Sequence, residues 1–262
     1  MRENKVKTIW QNGGHILNGW LHIPSSYSAE IQAHAGWDSL TIDMQHGPVD
    51  YQVAVTMLQA ISTTETVPMA RVPWNEPGII MKLLDAGCYG LICPMINSRA
   101  EAEAFVGACR YPPHGYRSHG PNRARLYGGD DYPLHANDQI ITMAMIETVQ
   151  ALENLDDILS VPGLDAIYVG PSDLSRSFGD PPGADFDHGP VAEALDTIIA
   201  ACQKHHIYAG IHTGSAAYAL KMYQKGFQFA TISADSGIMA AASSKIIATV
   251  KETQAEEQSG PY

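Results

Sequence analysis

Eight short β-prone runs, at 16–21, 40–43, 68–72, 91–94, 140–146, 166–169, 208–211 and 229–233, punctuate this chain. They alternate with stretches of helical apolar spacing at 51–61, 79–84, 100–109, 149–159, 190–205 and 216–223. An apolar period that switches repeatedly between two and 3.6 demands parallel strands joined by crossover helices. Eight such units in 262 residues suit a closed (β/α)₈ barrel, typically of about 250 residues, better than an open doubly wound sheet. No GxGxxG follows the first run, which argues against a dinucleotide crevice. Asn75, Glu76 and Pro77 mark a helix start, and Gly87 and Gly226 mark helix stops. The expected architecture is therefore α/β, a single-domain TIM barrel over 1–251. A polar tail, 252–262, has no apolar period and is expected to fray or to reach a neighbouring subunit.

Composition narrows the function. Hydrophobic residues at 45% and charged residues at 17% supply a sizeable core and rule out disorder. A net charge of −12 repels phosphates, so no nucleic-acid partner is expected. No run approaches the ~18 apolar residues of a membrane span, and the start, MRENKVKTIWQNGG, lacks a signal-peptide core. No membrane association and a cytoplasmic location follow. Cys88, Cys93, Cys109 and Cys202 form no CxxC pair or zinc pattern and read as core residues. The segment 110–138 stands apart: rich in Gly, Pro and aromatics, it carries Arg110, Arg117, Arg123 and Arg125, half of the eight arginines. So long a loop is expected to be functional or an interface element.

In such a barrel the reacting groups come from the C-terminal ends of the strands. That rule collects His22, Asp43 with His46, Arg71, Glu147, Asp173, His212, and Ser233 with Asp235. All eight lysines fall in helical or terminal segments, which leaves a Schiff-base mechanism without a candidate. Glu147 and Asp173 leave adjacent strands as two hard oxygen donors with no His or Cys beside them, a pattern suited to Mg²⁺ or Mn²⁺. Alternatively, Glu147 caps the next helix and Asp173 is an N-cap. His46 in IDMQHGP is suited to proton transfer, with Asp43 placed to orient its imidazole. His22, His34 and His205 read as surface or hydrogen-bonded loop residues. Arg71 in PMARVPW binds an anion, polarises a carbonyl or pairs with a rim carboxylate. Ser172 and Asp173 can offer backbone N–H groups to a substrate carboxylate. Together these groups fit enolate chemistry on a 2-oxo acid.

The strings DSLTIDMQHGP, ARVPW, KLLDAGCYGLICPMINSRAEAEAFVGACRYPPHGYR, MIETVQALENLDDILSVPGLDAIYVGPSDLS and FGD, in order over most of the chain, resemble the HpcH/HpaI aldolase family of class II pyruvate aldolases. The resemblance implies a TIM-barrel lyase that reversibly cleaves a 4-hydroxy-2-oxo acid to pyruvate and an aldehyde. It implies a divalent ion (Mg²⁺, Mn²⁺ or Co²⁺), with no organic cofactor. By motif, Glu147 and Asp173 hold the metal, Arg71 contacts the keto oxygen and His46 is the acid/base residue. It also implies a homo-oligomer, typically a hexamer, that exchanges C-terminal helices. Asp85, in LLDAG, then reaches a neighbour's site, and either it or Asp43 orients His46.

Three departures stand out: Gln45 before His46 in place of a frequent Glu, Ser118 after Arg117 in place of Gly, and HTG at 212–214 in place of a more apolar loop. The last two are expected to meet the aldehyde. Two rival activities share much of this pattern. One is decarboxylation of a 2-oxo diacid such as oxaloacetate; the other is phosphosugar chemistry, with Thr213, Gly214 and Ser215 cradling phosphate. A non-catalytic scaffold has no use for four polar groups at strand exits.

Overall fold

The computed structural model describes residues 1–258. Its eight strands are β1 (Ile16–Leu21), β2 (Ser39–Asp43), β3 (Val67–Arg71), β4 (Gly90–Cys93), β5 (Ile141–Ile146), β6 (Ala166–Val169), β7 (Tyr208–Thr213) and β8 (Phe229–Ile232). All pair in parallel, each with its sequence neighbours, and β8 closes on β1. Each falls within about two residues of its expected place. The single closed barrel is thus the fold that the alternating pattern implies. β2 to β6 are buried along their whole length, as strands sandwiched between a packed lumen and a ring of helices must be.

The helix starts stand at the C-terminal rim because short polar side chains cap them there. Asp50, Ser98, Thr148 and Ser215 each accept an amide from the first turn, a contact usually worth about 1 kcal/mol. Glu76 does the same before Pro77, and Gly87 and Gly226 take positive φ beyond their helices, as their sequence context indicates. The 149–159 stretch is two short helices broken at Asn154. At the opposite end the helix Lys5–Gln11 plugs the barrel with Trp10, whose ring stacks on Tyr208 at 4.4 Å. In the lumen, Asn18 takes hydrogen bonds from Ser39 and Thr41 and donates to Thr231. This polar layer, fully paired, costs little.

Segment 110–138 holds much of two helices, Asn122–Gly128 and Tyr132–Gln139, and lies on the N-terminal face. The helix Arg99–Cys109 runs antiparallel to the strands and delivers the chain there. Its arginines have partners within the chain: Arg110 with Asp165, Arg117 with Asp85 and Tyr132, Arg123 with Ala86 and Ser62, Arg125 with Asp130. They fasten this face of the barrel. The helix Asp235–Gln258 runs into the segment read as a tail, of which 259–262 lies outside the described residues. Among the described residues no helix is long and apolar enough to cross a membrane.

Candidate active site

A cavity of about 190 Å³ opens at the C-terminal ends of the strands, lined by Trp20, His22, His46, Arg71, Met145, Tyr168, Gly170, Pro171, Ser172, Asp173, Ala184 and His212. Period-two geometry points Trp20 and His22 to one face of β1, and residues on or leaving β2, β3, β5, β6 and β7 complete the wall. No lysine is among the lining residues.

Asp43 is the hub. Fully buried, it faces Arg71 across the β2–β3 register. Arg71 Nε and Nη2 donate to its two oxygens at 2.8 and 2.7 Å, a bidentate clamp. His22 Nε2 lies 2.8 Å from Oδ2 and Trp20 Nε1 donates at 3.2 Å. Burial opposes ionisation of Asp43, but the hydrogen bonds from His22 and Arg71 outweigh it and hold the carboxyl far below its usual range. The pairing corrects one sequence expectation. Asp43 orients Arg71 and His22; of His46 it takes only the backbone amide, at 3.3 Å, because the turn after β2 folds back over its Oδ1. The exposed His46 ring lines the cavity without an Asp43 contact. Arg71 Nη1 is not engaged by Asp43; among the described residues its one side-chain hydrogen bond is to Met145 Sδ at 4.0 Å, and the guanidinium lies over the Trp20 ring at 4.9 Å.

Glu147, 1% exposed, lies beneath the cavity against Gly170. A Cβ at Gly170 would stand 2.4 Å from Glu147 Oε2, so only glycine leaves this carboxylate its place. Neither capping alternative holds: Thr148 and Gly170 occupy the N-cap positions, while Glu147 Oε1 accepts the Met95 amide at 2.8 Å. Burial pushes the Glu147 carboxyl up to about 7, with Asp173 adding to the rise and the Met95 amide countering it. Two carboxylates crowded in this way, with no salt bridge to either among the described residues, fit a divalent cation. No group of three His, Cys, Asp or Glu suited to a metal occurs among the described residues. Two oxygen donors would leave coordination positions for water and substrate.

In the metal-free chain this carboxyl gives a signed pH effect. Folded Glu147 keeps its proton up to about pH 7, whereas the unfolded side chain loses it near 4.5. Between these values the folded state binds more protons, so its stability falls as pH rises through the window, by of the order of 3 kcal/mol. Urea unfolding at pH 5 and pH 8 is expected to show that loss in the wild type and its removal in Glu147→Gln.

Asp85 lies outside its own chain's cavity, at the N-terminal face, paired with Arg117 at 2.8 Å. Ser118 shares that face, so in its own chain it does not meet the cavity. The proposed phosphate cradle is filled: Asp185 accepts the Gly214 amide at 2.7 Å and the Ser215 hydroxyl at 2.8 Å. Ser172 donates its hydroxyl to Gly183 at 2.7 Å, which pins the segment carrying Ala184 over the cavity. Sequence reasoning undervalued His22, hydrogen-bonded as expected yet also a cavity wall. His212 is a second such wall. Burial, reinforced by Arg71, lowers its pKa to about 4, and its Nδ1 lies 3.1 Å from the Tyr168 hydroxyl. The even spacing of Trp20 and His22 was the available signal.

Residues 19–242 match the HpcH/HpaI aldolase/citrate lyase family. The chain is 40% identical over 248 residues, covering 95% of it and 99% of the relative, to a hydroxypyruvate/pyruvate aldolase of Rhizorhabdus wittichii. It is 36% identical over 249 residues, 94% of each chain, to a 4-hydroxy-2-oxo-heptane-1,7-dioate aldolase of Escherichia coli. The crystal structure of an HpcH/HpaI aldolase/citrate lyase family protein from Burkholderia cenocepacia superposes with a TM-score of 0.88 at 31% identity, over 95% of this chain and 99% of that one. With motif order, barrel and rim in agreement, the chain belongs to the HpcH/HpaI aldolase/citrate lyase family.

Proposed function

We propose that this carbon–carbon lyase is a class II pyruvate aldolase, cleaving a 4-hydroxy-2-oxo acid reversibly to pyruvate and an aldehyde. The observation that carries the reading is the Asp43-clamped Arg71 in the same rim as the Glu147–Asp173 pair. Glu147 and Asp173 would hold Mg²⁺, Mn²⁺ or Co²⁺, whose Lewis acidity lowers the cost of negative charge on a keto oxygen. Arg71, fixed by Asp43, points Nη1 at the same developing charge. The Ser172 and Asp173 amides, in the first turn of the helix Pro171–Ser177, receive the substrate carboxylate. His46 takes the proton of the C4 hydroxyl during cleavage and returns it during synthesis. Trp20, Tyr168 and Met145 wall off water from the carbon that carries the charge.

We also place the enzyme in a homo-oligomer, a hexamer in which Asp85 reaches a neighbour's rim. Ile238, Met239, Ile246, Ile247 and Val250 on the helix Asp235–Gln258 are exposed within one chain, which supports exchange of that helix between subunits. Buried, unpaired thiols at all four cysteines fit the cytoplasm.

The test is metal-stripped enzyme with pyruvate and a panel of aldehydes, adding back Mg²⁺, Mn²⁺ and Co²⁺ separately, with oxaloacetate decarboxylation measured alongside. Stripped enzyme is expected to be inactive in aldol formation and in exchange of pyruvate methyl protons with solvent, and to recover both with metal. Borohydride with pyruvate is expected to leave activity intact. A trapped lysine adduct, or decarboxylation without aldol chemistry, would overturn the reading.

A further inference from the structure

The reading above leaves two imidazoles in the cavity without a task. His22 leaves β1 and His212 sits near the end of β7, the two strands that flank β8, while the carboxylates leave β5 and β6. Trp20 joins the two: its ring meets His212 edge-on at 5.4 Å and, like His22, it reaches Asp43. In the aldolase reading Arg71, Glu147 and Asp173 are taken up by the pyruvate half, which leaves these two side chains to the acceptor aldehyde.

Both rings are held by one nitrogen. Asp43, buried and ionised by its clamp, accepts hydrogen bonds only, so the hydrogen of His22 that faces it is on Nε2. The His22 backbone amide is fixed as well, donating to Asp235 at 2.8 Å. Nδ1 of the half-buried His22 ring has no protein partner among the described residues and, in the neutral ring, is an acceptor. His212 is neutral at physiological pH, engaged at Nδ1 by Tyr168, and its Nε2 likewise has no protein partner among the described residues. The wall is therefore polar and preoriented. Alkyl groups gain nothing from it, whereas a hydroxyl can hydrogen-bond a ring nitrogen of either histidine.

Resting on the aldolase reading, we propose that His22 and His212 form a hydroxyl-recognising subsite, and that the acceptor is a short α-hydroxyaldehyde. His22 Nδ1 accepts the hydrogen of the α-hydroxyl, and His212 Nε2 supplies the second contact to that oxygen or to the next hydroxyl. Both are specificity-determining residues, and neither takes part in bond cleavage. Ala184, on the segment pinned over the cavity, lines the same space.

The experiment compares kcat/KM for glycolaldehyde and propanal, with pyruvate as donor. The two acceptors differ by a hydroxyl in place of a methyl, so the change in their ratio between variants reports hydroxyl recognition. Any general loss, such as a weakened Arg71 clamp, cancels. The ratio is expected to fall about five- to tenfold in His22→Leu, the worth of one well-placed neutral hydrogen bond. His212→Leu is expected to lower it independently. Should His22→Leu not fold, His22→Gln, which keeps a donor for Asp43 but loses Nδ1, decides the same point. A ratio unchanged in the folded His22 variant and in His212→Leu overturns the subsite, while pyruvate proton exchange in the wild type leaves the aldolase reading standing. Absence of that exchange overturns both.

Discussion

Glu147→Gln and Asp173→Asn are each expected to abolish Mn²⁺ binding and to lower retro-aldol turnover by more than about 10³-fold, because each removes one of the two carboxylates proposed to hold the cation. Glutamine at 147 keeps the acceptor for the Met95 amide and the volume against Gly170. The barrel should therefore stay folded, and at pH 8 the metal-free variant should match or exceed the wild type in stability, since no buried charge remains. Calorimetric titration with Mn²⁺ beside product formation separates binding from chemistry. A variant that binds Mn²⁺ as tightly as the wild type would remove Glu147 from the metal site.

Asp43→Ala is expected to have the largest combined effect on stability and rate. It strands the Arg71 guanidinium, which is only 8% exposed, and removes the acceptor of His22, Trp20 and two turn amides. Breaking one side of a buried ion pair typically costs about 3–5 kcal/mol. Loss of the Arg71 geometry adds a fall of about 10²–10³ in kcat/KM, the range seen for a lost oxyanion donor. Asp43→Asn, retaining an oxygen but not the charge, should lie between. Urea midpoints and aldol kinetics on the same preparations check both, and wild-type values in Asp43→Ala would refute the hub.

The eight strands were legible because a strand buried on both faces must be apolar or small almost throughout, and runs such as 166–169 and 229–232 are. The break at Asn154 was not, since the apolar period carries through it while the backbone does not. Glu147, Asp173, Arg71 and His46 could be gathered at one rim from strand exits alone. What Asp43 does there could not, because the register that sets it opposite Arg71 is a property of two strands and their helix, not of either sequence run. The intrachain partners of Arg110 and Arg117 were illegible for a related reason. Asp165 and Asp85 are distant from them in sequence and meet them only after the barrel closes.

The chain over the cavity mouth is tied down at several points. Ser172 holds Gly183, Asp185 straddles the Gly214 amide and the Ser215 hydroxyl, Tyr218 donates to the Phe186 carbonyl at 2.6 Å, and Lys221 pairs with Asp187 at 2.5 Å. A roof tied to both the β6 and β7 exits must break these contacts together before it can swing clear in the manner of a flap. While they hold, the bulk of the side chain at 184 is expected to limit the range of molecules admitted, and a larger residue there should narrow it.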